Sequence, residues 1–341
     1  MDLDKYLQQE LENCGLYELT EADNQMLQEQ GLLEFIFSKV SSKKFRKWKI
    51  SDETSQQIKE AIKINITNNT PIKFTFPFGG YKLWSMPSAP EVDWAEFFMI
   101  SYYCKYLAPI AKVYQPGVHF RFSSDDIIIC QMNNVPTEDT EKYFKSFNIL
   151  LANFKKFLPP NLRLEIVRVA DMYSNAEEYQ NELNIKILEQ TQKYNNLSEA
   201  DKERMLIMSK LNIKFQGVED WTKLSKLEQE AKIKQGVILH NAHCDVSKRR
   251  SFVRSQDNVT VFSTPINRAV AIGTTRSSVA KFWAGFGVLQ NKDNSYSNKI
   301  LSPTQLAEAN KGEYKTFDIS LIPLDNFKKI RVYDQTLNFS N

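Results

Sequence analysis

Cysteine is scarce in this 341-residue chain: Cys14, Cys104, Cys130 and Cys244 lie far apart and form no C-x-x-C pair. The four are read as reduced thiols, as in a cytoplasmic protein. Histidine is scarcer still, with three residues. His240-Asn-Ala-His243-Cys244-Asp245 groups metal-donor types, but a structural zinc site needs a second set of partners. Elsewhere the chain offers only His119, so no metal and no cofactor is assigned. Charge of one sign is also lacking. A formal net charge of +3 is too mild for a nucleic-acid-binding domain, although it leaves room for local basic patches. No apolar run approaches the roughly 18 residues of a spanning helix. The opening Met1-Asp-Leu-Asp-Lys5 has none of the charged-then-apolar pattern of a secretory signal. A cytoplasmic protein without membrane association is expected. There is no internal repeat and no low-complexity linker.

What is present is a soluble globular composition, 42% hydrophobic and 25% charged, in a chain long enough to bury a sizeable core. Residues 1–66 read as a helical segment, with Leu16, Leu19, Leu27, Leu32, Leu33, Phe35 and Ile36 as apolar positions and Gly15 and Gly31 as breaks. The basic run from Ser41 to Lys49 has two readings, a phosphate or nucleic-acid patch or a solvated turn with Phe45 and Trp48 packed inward. A helix follows from Thr54 to Ile64.

From Pro71 the pattern changes. Residues 71–78 alternate as a strand, and Gly79-Gly80 then frees the backbone for a close approach just before Tyr81-Lys82. Pro90 suits the first turn of a helix that runs to Val113. Asp93 and Glu96 share one face at its start, where helix-end electrostatics alone would account for them. Tyr114-Gln-Pro-Gly117 is a turn. Val118 to Cys130 reads as two strands, or as one interrupted by Ser123-Ser-Asp125-Asp126, and Ile127–Cys130 is a continuous apolar run, as in a strand covered on both faces. A helix from Thr140 to Phe157 and an alternating strand from Leu162 to Val169 lead to Asp171. Lys82, the Asp125-Asp126 pair and Asp171 thus each follow a β-rich run, the position at which open α/β sheets hold ligands. The fold class implied is α/β: a Rossmann-like, largely parallel sheet flanked by helices over residues 67–185, completed by a smaller helical and β portion over 186–341. In that last portion, strands are expected at Val259–Phe262, from Ala269 and at Lys329–Tyr333. Thr274-Thr-Arg276 is a candidate anion-binding helix start, and Lys248-Arg249-Arg250 is the most basic short cluster.

At Phe76-Pro-Phe…Lys82, Tyr114-Gln-Pro-Gly117, Ser124-Asp125 and Val169-Ala-Asp171-Met-Tyr173, the chain resembles the pyoverdine/dityrosine biosynthesis family, the isonitrile (isocyanide) synthases. Order and approximate spacing match over residues 71–183. The family's glycine after Ser-Asp is replaced here by Asp126, the flanks of the lysine loop differ, and Thr264-Pro265 stands where a His-Pro pair is expected. The resemblance implies a cytoplasmic enzyme that turns the amino group of an amino acid, or a related amine, into an isonitrile. The carbon would come from a ketose phosphate, ribulose 5-phosphate, without a redox metal.

The residue types fit such chemistry. A lysine in a desolvated loop polarises or captures a ketone, losing its proton more easily there. Carboxylates carry the proton transfers. Lys82, Asp125 and Asp171 are the candidate catalytic residues. Asp126, Arg121, Arg168, Lys248, Arg249, Arg250 and Arg276 are the candidate substrate-binding residues, the basic ones for phosphate. Two other readings stay open: a metal-dependent transferase on a nucleotide-activated or phosphorylated substrate, with Asp125-Asp126 holding the ion, and a non-enzymatic module that binds RNA or a protein.

Overall fold

The structure is a computed structural model. It describes residues 2–43, 46, 49–78, 82–83, 90–124, 126–133, 135–205, 221–246, 255–262, 269–271, 285–293, 295–334 and 337. Helices α1 (Leu3–Glu12), α2 (Glu21–Val40) and α3 (Asp52–Thr67) come first. Their starts are written locally: Thr20 and Asp23 form a reciprocal capping box, and Ser51 caps α3 through the Thr54 amide. Gly31, at φ 80°, interrupts α2 as the sequence predicts.

Five parallel strands then build the main sheet: β1 (Ile72–Phe78), β2 (Val118–Ser124), β3 (Leu162–Arg168), β4 (Asn258–Phe262) and β5 (Ala269–Ala271). Their order is β3-β2-β1-β4-β5. The chain steps outward from β1 to β3 and then crosses to the other side of β1, so the topological switch point lies between β1 and β4. The expected α/β fold, with a parallel sheet flanked by helices, is what forms. β4 and β5 lie beyond residue 186 yet belong to this sheet.

One face of the sheet is apolar. Phe74 sits opposite Phe120 and Phe76 opposite Phe122. This face packs under α4 (Trp94–Val113) and α6 (Thr137–Lys155), with Tyr103 stacked on Phe120 at 5.1 Å and Phe147 against Phe122 at 5.2 Å. Rings at these separations add contact energy to their burial. The turn that feeds β2 depends on Gly117. Its φ is 72°, and a side chain there would meet the Asn161 carbonyl oxygen at 1.9 Å.

Two expectations fail locally. Ile127–Cys130 is not a strand but part of helix α5 (Asp126–Asn133). The apolar run packs as a helix because β2 has already ended at Ser124, and Ile128 and Ile129 are buried. A short apolar run does not by itself separate these two states. The helix after Pro90 starts later than predicted, with Asp93 as its N-cap.

Beyond β3, α7 (Ala176–Asn195) and α8 (Lys226–Val246) pack together. A second, four-stranded sheet follows, in order β7-β6-β9-β8: β6 (Phe286–Lys292), β7 (Ser295–Leu301), β8 (Tyr314–Asp318) and β9 (Lys329–Tyr333). Helix α9 (Pro303–Ala309) joins its two halves. This sheet docks on the start of α4. The Trp94 indole donates to the Lys329 carbonyl at 2.9 Å, and a side chain at Gly287 would strike the Trp94 backbone at 2.2 Å. Among the described residues no helix is long and apolar enough to cross a membrane.

Candidate functional site

The carboxyl end of β1 is flanked by β2 on one side and by β4 on the other, at the switch point. That is where open α/β sheets hold ligands, and Lys82 follows this strand. The residue is 1% exposed. It reaches Glu96 at 2.6 and 2.8 Å and Asp93 at 3.1 Å. Both carboxyl groups come from the first turn of α4. There they also form a capping box: the Asp93 amide donates to Glu96 Oε2 at 2.8 Å, and the Asp93 carboxylate accepts from the Ala95 amide at 2.6 Å. From α6 the Tyr143 hydroxyl donates to Glu96 Oε1 at 3.0 Å. Four side chains from three segments therefore share one dry space, in which one ammonium faces two carboxyl groups.

The protonation pattern follows. The sequence reading expects Lys82 to lose its proton more easily in a desolvated loop. Burial does push that way, but Asp93 and Glu96 outweigh it and hold the ammonium charged, with its pKa above the ordinary value. Burial pushes the Glu96 carboxyl up to about 7 in spite of Lys82, with Asp93 adding to the rise. Burial and Glu96 drive the Tyr143 hydroxyl well above its usual range, so it stays a donor. Glu96 is the member of the cluster placed to exchange a proton near neutrality.

A second pair lies at the neighbouring strand ends. Arg168, the last residue of β3, donates through Nε to Asp126 at 2.8 Å, just after β2. The guanidinium also lies 5.3 Å from the centre of the Phe144 ring. Asp126 is buried. These two predicted binding residues are thus brought together. Asp171 sits one turn past β3 in a short 3-10 helix and is exposed. Lys82, Asp126 and Asp171 follow adjacent strands and so occupy one edge of the sheet.

Arg121 is placed differently. It lies in the middle of β2, opposite Thr75 and Glu165, and donates to Glu165 at 2.6 Å. Glu165 also meets His119 at 3.0 Å, and these two partners, His119 first, hold its carboxyl low, at about 2. Asp125, Lys248, Arg249, Arg250 and Arg276 lie outside the described residues, as do Gly79, Gly80, Phe45, Trp48 and Thr264-Pro265.

The donor run lies on α8. His243 is fully buried and meets the Tyr179 hydroxyl at 2.6 Å. His240 lies beside Cys244, and Asp245 accepts from Gln190. Burial takes His243 down to about 4 and keeps it neutral.

Sequence reasoning weighed Asp93 and Glu96 as helix-end charges and did not single out Tyr143. The Asp-x-x-Glu spacing is the capping-box signature, and it is the signal that fixes where both carboxyl groups point. Nothing in the local sequence around Tyr143 marks its role, because the contact spans 47 residues.

These elements define an α/β protein with a five-stranded parallel sheet and a buried charged cluster behind its central strand. No family model matches the chain, and no curated protein matches it significantly. Among solved structures, PvcA from Pseudomonas aeruginosa is similar in fold, with a TM-score of 0.63 over 89% of this chain and 99% of that one, at 13% identity. A CDPS from Fluoribacter dumoffii aligns over 62% of this chain and 83% of that one at 15% identity, but its TM-score of 0.27 carries no argument.

Proposed function

We propose that this protein is an isonitrile-synthase-like enzyme, a carbon–nitrogen bond-forming catalyst that joins the amino group of an amino acid, or a related amine, to a carbon of ribulose 5-phosphate. The observation that carries the reading is the Lys82–Asp93–Glu96–Tyr143 cluster behind β1, at the switch point of the sheet. It is supported by the family resemblance over residues 71–183 and by a fold shared with PvcA across nearly the whole of both chains. A cytoplasmic setting is part of the same proposal.

Such a reaction needs an amine to shed protons, a ketone oxygen to be polarised and leave as water, the ketone carbon to be cut from both of its carbon neighbours, and a phosphate to be held. In this reading Lys82 acts as a fixed ammonium. It sets the field at the strand end and keeps Glu96 in reach of proton exchange at neutral pH. A neutral, imine-forming Lys82 does not fit two carboxyl groups that hold it charged. Asp171, past β3, and Asp125, next to Ser124 in the sequence, are the carboxylates of this reading. Arg168, with Lys248, Arg249, Arg250 and Arg276, supplies the cations for phosphate. Because Arg168 already answers the Asp126 carboxylate, that residue favours substrate positioning over an Mg²⁺ site.

The test is to incubate the protein with the proteinogenic amino acids and ribulose 5-phosphate and to follow isonitrile by mass spectrometry. The parent is expected to form it. Glu96→Gln, as a lost proton-transfer group, and Lys82→Met, as a lost electrostatic stabiliser, assayed where each remains folded, are each expected to turn over at least about a hundredfold slower. Full activity in Lys82→Met would remove its assigned role. No isonitrile from any amino acid, together with metal-dependent turnover of a nucleotide-activated substrate, would move the assignment to a transferase.

A further inference from the structure

We propose that β8 is a self-complementary docking edge, at which two copies of this chain join about a two-fold axis through Thr316 and merge their second sheets into one. Among the described residues β8 is the outer strand of that sheet, held by β9 alone. All five of its residues, Tyr314–Asp318, are exposed, as is Glu313 before them. Its hydrogen-bond parity follows from one contact: the Ile319 amide donates to the Lys328 carbonyl at 2.8 Å. In an antiparallel pair, residues that exchange both bonds alternate with residues that exchange none. Lys315, Phe317 and Ile319 thus turn toward β9, and Tyr314, Thr316 and Asp318 turn their amides and carbonyls outward. Such groups need partners, from water or from protein, and an uncovered edge is a template for another strand.

The side chains select both the occupant and the register. The outward residues are all even-numbered, so a two-fold axis that joins them passes through a residue. An axis at Lys315 sets that lysine against its own copy, which is unfavourable. An axis at Phe317 leaves Tyr314 facing Ser320, beyond the strand. An axis at Thr316 uses every outward residue: Thr316 pairs with Thr316, and Tyr314 pairs with Asp318 twice. Lys315 and Phe317 then face each other in the non-hydrogen-bonded positions, where side chains are closest, and an ammonium over a phenyl ring is attractive. Lys315 is loosely held beforehand. Its contact with Asp334 spans 3.9 Å between two exposed side chains, and such pairs contribute little. On the opposite face of the strand, the Arg331 guanidinium lies 5.8 Å from the centre of the Tyr314 ring. The same register brings Asp318 of the second copy to Tyr314 and so to this guanidinium. Each Asp318 carboxylate then lies between Lys329 of its own chain, which faces it on β9, and Arg331 of the other. Charged edges turn most strands away, but these charges fit a second copy of the same edge. That self-complementary pattern is what an isologous interface requires.

Sedimentation of the full chain, with hydrogen exchange of the Thr316 and Asp318 amides, tests this. Wild type is expected at twice the chain mass, with both amides exchanging more slowly as concentration rises. Thr316→Pro removes an amide that β9 does not use, and proline is tolerated on the open side of an edge strand. It deletes both hydrogen bonds at the axis and should weaken the dimer at least about tenfold. Asp318→Arg should also weaken it. Mixing that variant with Arg331→Asp should restore pairing, because each arginine then meets an aspartate of the other copy. A wild type that is monomeric at about 100 µM, where even a micromolar pair would form, overturns the proposal. So does a dimer that withstands Thr316→Pro, a charge-swapped mixture that stays monomeric, or exchange at Thr316 and Asp318 that does not depend on concentration.

Discussion

Two charged clusters stand at neighbouring strand ends, and they solve the same problem differently. Behind β1, Lys82 is a compact cation surrounded by Asp93, Glu96 and Tyr143 with almost no solvent. Behind β2 and β3, Arg168 meets the buried Asp126 at 2.8 Å, with the guanidinium resting by a phenyl ring and partly open to water. The first cluster carries more carboxyl than ammonium groups and so has a proton to place. Two carboxyl groups in a dry space with a single ammonium bring one of them, Glu96, into the range where it can trade protons.

The largest effect that would sharpen this contrast is on stability. Lys82→Met leaves two buried carboxyl groups without their cation and should cost about 3–5 kcal/mol, the range for breaking a buried ion pair. Urea unfolding measures it, and Lys82→Met combined with Glu96→Gln should recover part of the loss. Arg168→Ala should cost less, about 1.5–3 kcal/mol, as for a lost hydrogen bond between charged groups. Equal losses in the two variants would erase the distinction.

A smaller effect concerns pH. The Glu96 carboxyl is raised to about 7 from an unfolded value of about 4.3, so the folded protein binds the extra proton between those values. Its contribution to stability is present below about pH 4.3 and is lost as pH rises through 7. Glu96→Gln should remove that fall. His243 acts with the opposite sign. Its pKa is lowered to about 4 from about 6.5, and its contribution is present above pH 6.5 and lost as pH falls through 4. The difference between parent and Glu96→Gln, measured from pH 4 to 8, cancels the histidine and isolates the carboxyl. The smallest effect is at Asp171, which is exposed. Asp171→Asn should change stability by no more than about 0.5 kcal/mol, so any loss of turnover in that variant reports chemistry and not folding.

Much of the fold is legible in the residues themselves. β1 and β3 follow from alternation, β4 and β9 are read as short strands, and Gly31 and Gly117 follow from the backbone conformations they permit. The β6–β7 hairpin was missed, although Lys292-Asp-Asn-Ser295 between alternating segments is a turn signal and Asp293 does adopt φ 52°. Ile127–Cys130 is ambiguous in the sequence because apolar runs of that length suit a strand or a buried helix equally. For the site, the placement of Lys82 after a strand was readable. Its partners were not, since a capping box explains Asp93 and Glu96 without any lysine, and Tyr143 joins only through tertiary packing.

The claim that this cluster holds an exchangeable proton is tested most directly by ¹³C NMR titration of the Glu96 carboxyl in the folded protein. An inflection near pH 7 that moves when Lys82 is replaced is the expected result. A carboxyl that titrates at its ordinary value, about 4.3, or below it would contradict the account.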